Sequence, residues 1–311
     1  MVGYPARVRV GTSLRTSYAV DDHRLGAQWV IERARAASDA GLDSLFVGDH
    51  HSSGPYPYYQ NVPMLGRLLA EWDDRPAGAL FLLPLWHPVT VAEQVGTLAT
   101  IARGRFILQC AIGGGDAQFA AMGTTLRARV ARFEAGLDIV RQLLAGGTVT
   151  TESPYEVHSA RIAPIPPDPV EVWIGAAAPP AIDRAARMGD GWLANADVVP
   201  DEAREQAAAY REACARHGRT PTAVAIRRDI HVGTDTADAA RVAEPIITAG
   251  YRGFRPEACT YGSPQEVADK LAAYADMGYT DIIVRHLAED QTEVLRSLER
   301  LAQVRELVSS L

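Results

Sequence analysis

The stretch Leu42-Asp43-Ser44-Leu45-Phe46-Val47-Gly48-Asp49-His50-His51 joins a short apolar run to three side chains that can transfer protons or bind metal. Leu45, Phe46 and Val47 predict a buried strand. Gly48 allows the chain to turn at the strand's carboxyl end. An ordinary strand-end turn with solvated polar residues would also fit, but three adjacent titratable groups at such an edge favour a functional site.

The rest of the chain alternates apolar segments of strand length with helical patterns. The other predicted strands cover 8–12, 77–83, 106–112, 171–175, 190–194, 223–232 and 281–285. Eight strands alternating with helices predict an α/β fold, a (β/α)₈ TIM barrel. The carboxyl ends of the strands form the catalytic face of such a barrel, so we expect Asp49, His50 and His51 at the active-site mouth. A doubly wound sheet is the alternative, but Val10–Arg15 is not a dinucleotide fingerprint.

One barrel accounts for the whole length, so we expect a single domain over 1–311. Residues 147–169 interrupt the alternation and are rich in threonine, proline and β-branched residues, which predicts a hairpin excursion or lid. Gly262-Ser263-Pro264-Gln265-Glu266 predicts a helix start with a capping box, Ser263 being the N-cap.

Composition limits the compartment and the partners. The net charge of −7 argues against a nucleic-acid surface. Cys110, Cys214 and Cys259 are odd in number and far apart, which indicates a reduced, cytoplasmic compartment. Met1–Arg7 has no apolar leader pattern, and no run of about 18 apolar residues exists, so we expect no membrane association.

Two more strand ends carry candidate binding groups. The glycines of Gly113–Asp116 permit a ligand to lie against the backbone, although a flexible turn would explain them equally. Gly175–Ala181 leads into a helix whose free N–H groups can bind a phosphate, or is a plain proline-initiated helix start. Arg285, at the end of the eighth strand, is either an anion ligand or a salt-bridged structural residue.

Other chemistries fit less well. Asp49, His50, His51 and His87 supply metal-ligand types, but the His-x-His typical of metal-dependent barrel hydrolases is missing, so we predict no metal. A serine hydrolase would need a Gly-x-Ser-x-Gly elbow, which is absent. Tyrosines 56, 58 and 59, in a Gly/Pro-rich loop, either line a substrate pocket or only pack locally. We predict that Tyr56, Tyr58 and Tyr59 line the pocket.

Five segments, in order, resemble the bacterial luciferase-like flavin monooxygenases and their deazaflavin-dependent relatives, and the resemblance covers essentially the whole chain. The segments are 48–51 (Gly-Asp-His-His), 83–95, 104–108 with the glycine turn, 173–192, and 262–267.

The resemblance implies a ring cofactor in the barrel mouth, near a non-proline cis peptide or bulge that matches Ala79-Leu80. His50 matches the family's catalytic histidine and would act as general base or proton donor. Asp49 would orient it, with His51 farther out. The predicted cofactor contacts are Ala79, Leu80, Gly113, Gly114, Gly175, Ala176, Ala177, Ala178 and Arg285.

Two departures bear on the cofactor. Ile112 stands where the luciferase has a phosphate-binding arginine, and the loop 176–180 is similar to the Ala-Ala-x-Gly-Pro loop of deazaflavin-dependent relatives. Our first hypothesis is a monooxygenase that uses reduced FMN and O₂ on a small organic substrate, with a separate flavin reductase as a possible partner. The alternatives are hydride transfer with coenzyme F420 and a non-catalytic flavin-binding protein. Family habit implies a homodimer.

Overall fold

A computed structural model describes residues 8–310. The strands are β1 Arg9–Leu14, β2 Leu45–Val47, β3 Ala77–Leu82, β4 Phe106–Ala111, β5 Val149–Thr151, β6 Val157–Ala160, β7 Glu171–Gly175, β8 Gly191–Ala194, β9 Ala223–Val232, β10 Cys259–Gly262 and β11 Asp281–His286. The α-helices are α1 His23–Asp39, α2 Asn61–Leu68, α3 Pro88–Ile101, α4 Asp116–Ala121, α5 Arg129–Leu144, α6 Pro179–Met188, α7 Pro200–Arg216, α8 Thr236–Thr248, α9 Pro264–Asp276 and α10 Gln291–Ser310.

The main sheet confirms the predicted (β/α)₈ barrel. Its strand order is β9-β11-β1-β2-β3-β4-β7-β8, and β8 pairs again with β9, which closes a ring of eight strands. The ninth strand, β10, lies outside the ring beside β9. The excursion within 147–169 is a hairpin as predicted, because β5 and β6 pair antiparallel in a separate two-stranded sheet.

Backbone contacts divide the chain into two compact units. Unit 1 contains the described residues up to Arg15, with Arg24–Phe46 and Trp173 onwards; unit 2 contains Thr16–His23 and Val47–Val172. The single domain over 1–311 stays a prediction. Every helix among residues 8–310 is too short or too polar to span a bilayer. Residues 1–7, on which the expectation of no leader rests, lie outside the described part.

In unit 2 the hairpin is fixed to the outer helices by an apolar cluster. The buried members come from α3, α5 and the hairpin: Ala92, Ile139, Leu143, Val149, Tyr155 and Val157. A Cβ on Gly96 of α3 would lie 2.7 Å from the carbonyl oxygen of Pro164, so only glycine lets the end of the excursion approach this helix. The excursion is therefore packed rather than loose.

In unit 1 the long strand β9 pairs in parallel with β8, β10 and β11. The predicted capping box precedes α9 as expected. Ser263 Oγ accepts from the Glu266 N–H, and Glu266 Oε2 accepts from the Ser263 N–H at 2.7 Å. Two orphan amides at the helix start are thereby satisfied.

Unit 1 also buries two histidines that the sequence analysis did not single out. His286 Nε2 lies 3.0 Å from Ser297 Oγ, and that oxygen accepts from the Val232 N–H. The pKa of His286 is lowered to about 3, mainly by burial and also by Arg33 and His231, while Asp229 acts in the opposite direction. Burial also lowers the pKa of His231.

We expect these histidines to make stability fall as the pH drops from 7 to 5. Below about pH 6.5 each of these histidines binds a proton in the unfolded chain but not in the folded chain. Lowering the pH therefore favours unfolding. For His286 alone, the loss over this interval is about 2 kcal/mol. Urea unfolding at both pH values measures it. His286→Asn should reduce the change in unfolding free energy between the two pH values. H158N, at an exposed histidine of the hairpin, should leave that change as in the wild type. An equal slope in H286N and the wild type would contradict this account.

Candidate active site

Asp49 lies two residues beyond the end of β2, after Gly48, and its side chain is fully buried. Its Oδ2 accepts two hydrogen bonds of 2.8 Å, one from the Leu82 N–H at the end of β3 and one from Trp86 Nε1–H in the turn beyond. Both donors come from a neighbouring strand end of unit 2. A buried carboxyl group is costly without such donors, and these contacts fix its orientation.

His51 is the side chain that Asp49 faces. Its Nε2 lies 3.3 Å from Asp49 Oδ1, and neither atom has a hydrogen-bond partner among the described residues. Its ring meets the Trp86 ring edge-on at 5.2 Å, and its backbone N–H donates to Gln118 Oε1 at 2.8 Å. We call Asp49 and His51 the buried pair.

His50 is exposed at the same strand end. Its ring centroid lies 5.7 Å from that of Tyr58, and its carbonyl accepts from Gln60 Nε2. The prediction that Asp49 orients His50 is wrong in this geometry, because Asp49 faces His51. The side chains of Asp49 and His51 meet, while the His50 ring lies against Tyr58 instead.

The three loop tyrosines have separate environments. Tyr58 lies beside His50, whereas Tyr56 is 68% exposed. The Tyr59 hydroxyl donates to the His23 carbonyl at 2.6 Å, and its N–H donates to Thr16 O. Tyr58 is therefore the tyrosine that this geometry brings to the predicted catalytic residue; the pocket role of all three stays a prediction.

The strand bearing Ala79 and Leu80 is regular. β3 pairs with β4 without a register break from Ala77 to Leu82, and the cis peptides among the described residues all precede proline. The cis bond or bulge that the resemblance associates with this position is therefore not present in the ladder with β4, and the 79–80 peptide is not cis. A continuous ladder leaves no extra residue to accommodate. Ala79 is fully buried and Leu80 partly exposed, so Leu80 is the one of the two with a surface for a ligand.

The glycine turn after β4 is open on the side where side chains would project. Gly113 and Gly115 have φ of +67° and +87°, which favours glycine. A Cβ on Gly114 or Gly115 would meet nothing within 4 Å. The Gly114 carbonyl accepts from Gln118 Nε2, which links this turn to His51 through Gln118.

The predicted phosphate loop belongs to unit 1. Ala176 is buried, and its carbonyl accepts from Trp192 Nε1 at 2.8 Å. The helix α6 begins with Pro179 and Pro180, which have no N–H, and the Ala178 carbonyl accepts from the next two amides. The first helical positions therefore offer no free N–H group to a phosphate; phosphate binding by the loop and the cofactor contacts predicted at Gly175, Ala176, Ala177 and Ala178 stay predictions.

Arg285, also in unit 1, is held by structural contacts. It donates to the carbonyl and hydroxyl of Ser13, at 3.2 and 2.7 Å. It also acts on the buried Asp229. Burial would raise the pKa of Asp229, but Arg227, Arg285 and the Tyr251 hydroxyl together lower it. This environment matches the structural alternative for Arg285, and its role as an anion ligand stays a prediction.

Sequence reasoning missed Trp86 and Gln118. Trp86 was quoted as part of a matching segment, but nothing in the pattern said that its indole reaches Asp49. His87 is exposed at the N-cap of α3, with its ring edge-on to Tyr155 at 5.9 Å. No group of three His, Cys, Asp or Glu side chains within 8–310 is arranged to hold a metal ion.

Known sequences and structures that are similar to this chain indicate its relatives. The sequence profile of the family described as luciferase-like monooxygenase matches residues 8–257. An F420-dependent glucose-6-phosphate dehydrogenase of Nakamurella multipartita is 25% identical, over 91% of this chain and 93% of the relative.

Solved structures share the fold. The monooxygenase RslO1 from Streptomyces bottropensis superimposes with a TM-score of 0.81 at 18% identity, over 94% of this chain and 97% of that one. The oxygenating constituent of 3,6-diketocamphane monooxygenase from a Pseudomonas putida plasmid, solved with FMN, gives 0.78 at 17% identity, over 95% and 97%. At these identities the likeness concerns the barrel alone.

Proposed function

The chain belongs to the luciferase-like monooxygenase family, and we propose that it is an F420-dependent oxidoreductase that transfers a hydride between this deazaflavin and a small organic substrate. The proposal reverses the order of our first two hypotheses. It is supported by relatives named as F420-dependent dehydrogenases that align over more than nine-tenths of both chains.

The observation that carries the proposal is the exposed imidazole of His50 beside the buried pair. Oxidation of an alcohol removes a hydride from carbon and a proton from oxygen. The deazaflavin, when bound, supplies the hydride acceptor, or the donor in the reverse direction. His50 takes the hydroxyl proton on an imidazole nitrogen, which its exposure leaves accessible to a substrate. In the reverse direction it returns that proton.

The residues of unit 2 fit a planar ring. Gly114 and Gly115 leave room for a ring against backbone, because a Cβ at either would meet nothing within 4 Å. Gln118 fixes the turn through the Gly114 carbonyl and fixes the strand end through the His51 N–H. The side chains of the buried pair are 0% and 10% exposed for Asp49 and His51, so we assign the pair to holding the strand end that carries His50.

Anaerobic fluorescence titration tests the cofactor. We expect F420 to bind at least about 10-fold more tightly than oxidised or reduced FMN. Turnover is then followed as the change in F420 absorbance with a panel of alcohols and sugar phosphates, including glucose 6-phosphate. The H50N variant serves as control, because it should bind F420 like the wild type.

The contrary result is tight binding of reduced FMN together with substrate-dependent O₂ consumption. That outcome would replace this proposal by the FMN monooxygenase, with a separate flavin reductase as partner. The small-molecule substrate, the homodimer and the cytoplasmic location stay predictions.

A further inference from the structure

We propose that Arg132 and Tyr155 are positioning residues for the buried pair and act through Trp86. They connect the hairpin β5–β6 to the turn that carries Trp86. The link between this connection and catalysis rests on the proposed function, whereas the connection itself does not.

Trp86 is the last member of a chain of contacts that reaches Asp49. Its indole N–H donates to Asp49 Oδ2 at 2.8 Å, and its ring meets the rings of His51 and Phe81 edge-on. Because the indole occupies Oδ2, the other carboxylate oxygen, Oδ1, is the one that faces His51. Its own position depends on the backbone just before it, because Trp86 follows a single 3₁₀ turn over Leu83–Leu85.

Arg132 holds that turn from α5. Its Nε–H donates to the Pro84 carbonyl at 2.9 Å. The Leu83 carbonyl accepts from the Trp86 N–H, so the turn and the indole move together. The hydrogen bonds within a 3₁₀ turn of three residues have poor geometry. A hydrogen bond from outside to one of its carbonyls therefore contributes strongly to holding the turn in place.

Tyr155 fixes Arg132. The guanidinium carbon lies 4.4 Å from the centroid of the Tyr155 ring, close enough for a cation–π contact. Tyr155 is buried between the hairpin strands and α5, and a Cβ on Gly136 of α5 would lie 3.5 Å from its ring. Its hydroxyl reaches the Leu83 carbonyl only at 3.5 Å, so the ring rather than the hydroxyl is the important group.

Hydrogen exchange of the Trp86 indole N–H tests the connection without any cofactor. The chain has five tryptophans, and the Trp86 signal in a ¹⁵N spectrum is identified by its loss in W86F. We expect Arg132→Met to speed exchange by about 10-fold, the effect of weakening one hydrogen bond. Arg132→Lys should recover most of the protection, because its ammonium can donate to Pro84 O. Arg127→Met, at an exposed arginine before the same helix, is the matched control.

Tyr155 provides the second pair of variants. Tyr155→Leu removes the ring and should act like R132M, while Tyr155→Phe should stay near wild type. The indole N–H of Trp192, which donates to Ala176 O in unit 1, is the internal reference. The proposal is overturned if R132M and Y155L leave Trp86 exchange within twofold of wild type, if R127M changes it as much, or if the Trp192 signal accelerates equally, since that would indicate global loosening.

Steady-state turnover measures the effect of Arg132 on catalysis. We expect R132M to lower kcat by about 10-fold with KM for F420 unchanged, and R132M/W86F to be no slower than W86F, because Arg132 acts through Trp86. Additive losses would contradict that route. If no deazaflavin turnover exists, the exchange measurement still decides the connection, so the two failures are distinguishable.

Discussion

Replacing His50 by asparagine is expected to lower kcat for hydride transfer by about 10²- to 10⁴-fold, the range that a lost general base or acid costs. Asparagine keeps a polar side chain of similar reach but cannot accept a proton near neutral pH. His50 is exposed; its ring contacts the ring of Tyr58, and its carbonyl accepts a hydrogen bond from Gln60 Nε2. The free energy of unfolding should therefore change by no more than about 0.5 kcal/mol.

Steady-state kinetics with F420, urea unfolding and fluorescence titration together measure this result. His158→Asn in the hairpin is the matched control, because that histidine is also exposed and pairs only locally with Glu156. An H50N enzyme that keeps more than about a tenth of wild-type kcat would remove His50 from the proton-transfer role. In that case His51 becomes the group to examine.

The barrel was predictable because its strands are buried runs that break the helical period. Glu171–Gly175 and Ala223–Val232 have the predicted bounds, and the excursion was recognised by its change in composition. The sequence did not predict α4 or β10. Each is four to six residues long and lacks an apolar pattern of its own, so their form depends on neighbours that no local rule describes.

The candidate site was predictable as a place but not as a set of contacts. A strand end before Asp49, His50 and His51 was enough to mark the catalytic edge. The sequence did not show that the partner of Asp49 is His51 rather than His50. Trp86 and Gln118 join the site over separations of 37 and 67 residues, and side-chain contacts at such distances leave no periodic signal in the chain.

The predicted phosphate loop leads into a helix start with two prolines, which limits the amides that this start can offer. A loop followed by a helix start usually offers free amides to an anion. Here Pro179 and Pro180 occupy the first two positions of α6 and remove their N–H groups. The prolines were visible in the sequence, and their ordinary role as helix starters competes directly with anion binding.

Asp49→Ala is expected to lower the free energy of unfolding by about 3–5 kcal/mol, the cost of removing one member of a buried polar pair. The change leaves the Leu82 N–H and the Trp86 indole N–H without an acceptor in a buried site, and it removes the group that faces His51. Urea unfolding at pH 7 measures the loss. Asp138→Asn on the exposed face of α5 is the control for loss of a negative charge and should change little.

Asp49→Asn removes the carboxylate but keeps nearly the same side-chain shape. Its amide oxygen can still accept from Leu82 and Trp86, so we expect a smaller loss of about 1.5–3 kcal/mol from the weaker hydrogen bonds of a neutral acceptor. D49A/W86F should be less destabilised than the sum of the single changes, because the indole donor is already unpaired once Asp49 is gone. A D49A loss below about 1 kcal/mol, or full additivity with W86F, would mean that the carboxylate does not hold the indole in solution. The Trp86 route from the hairpin to the buried pair would then lack its last contact.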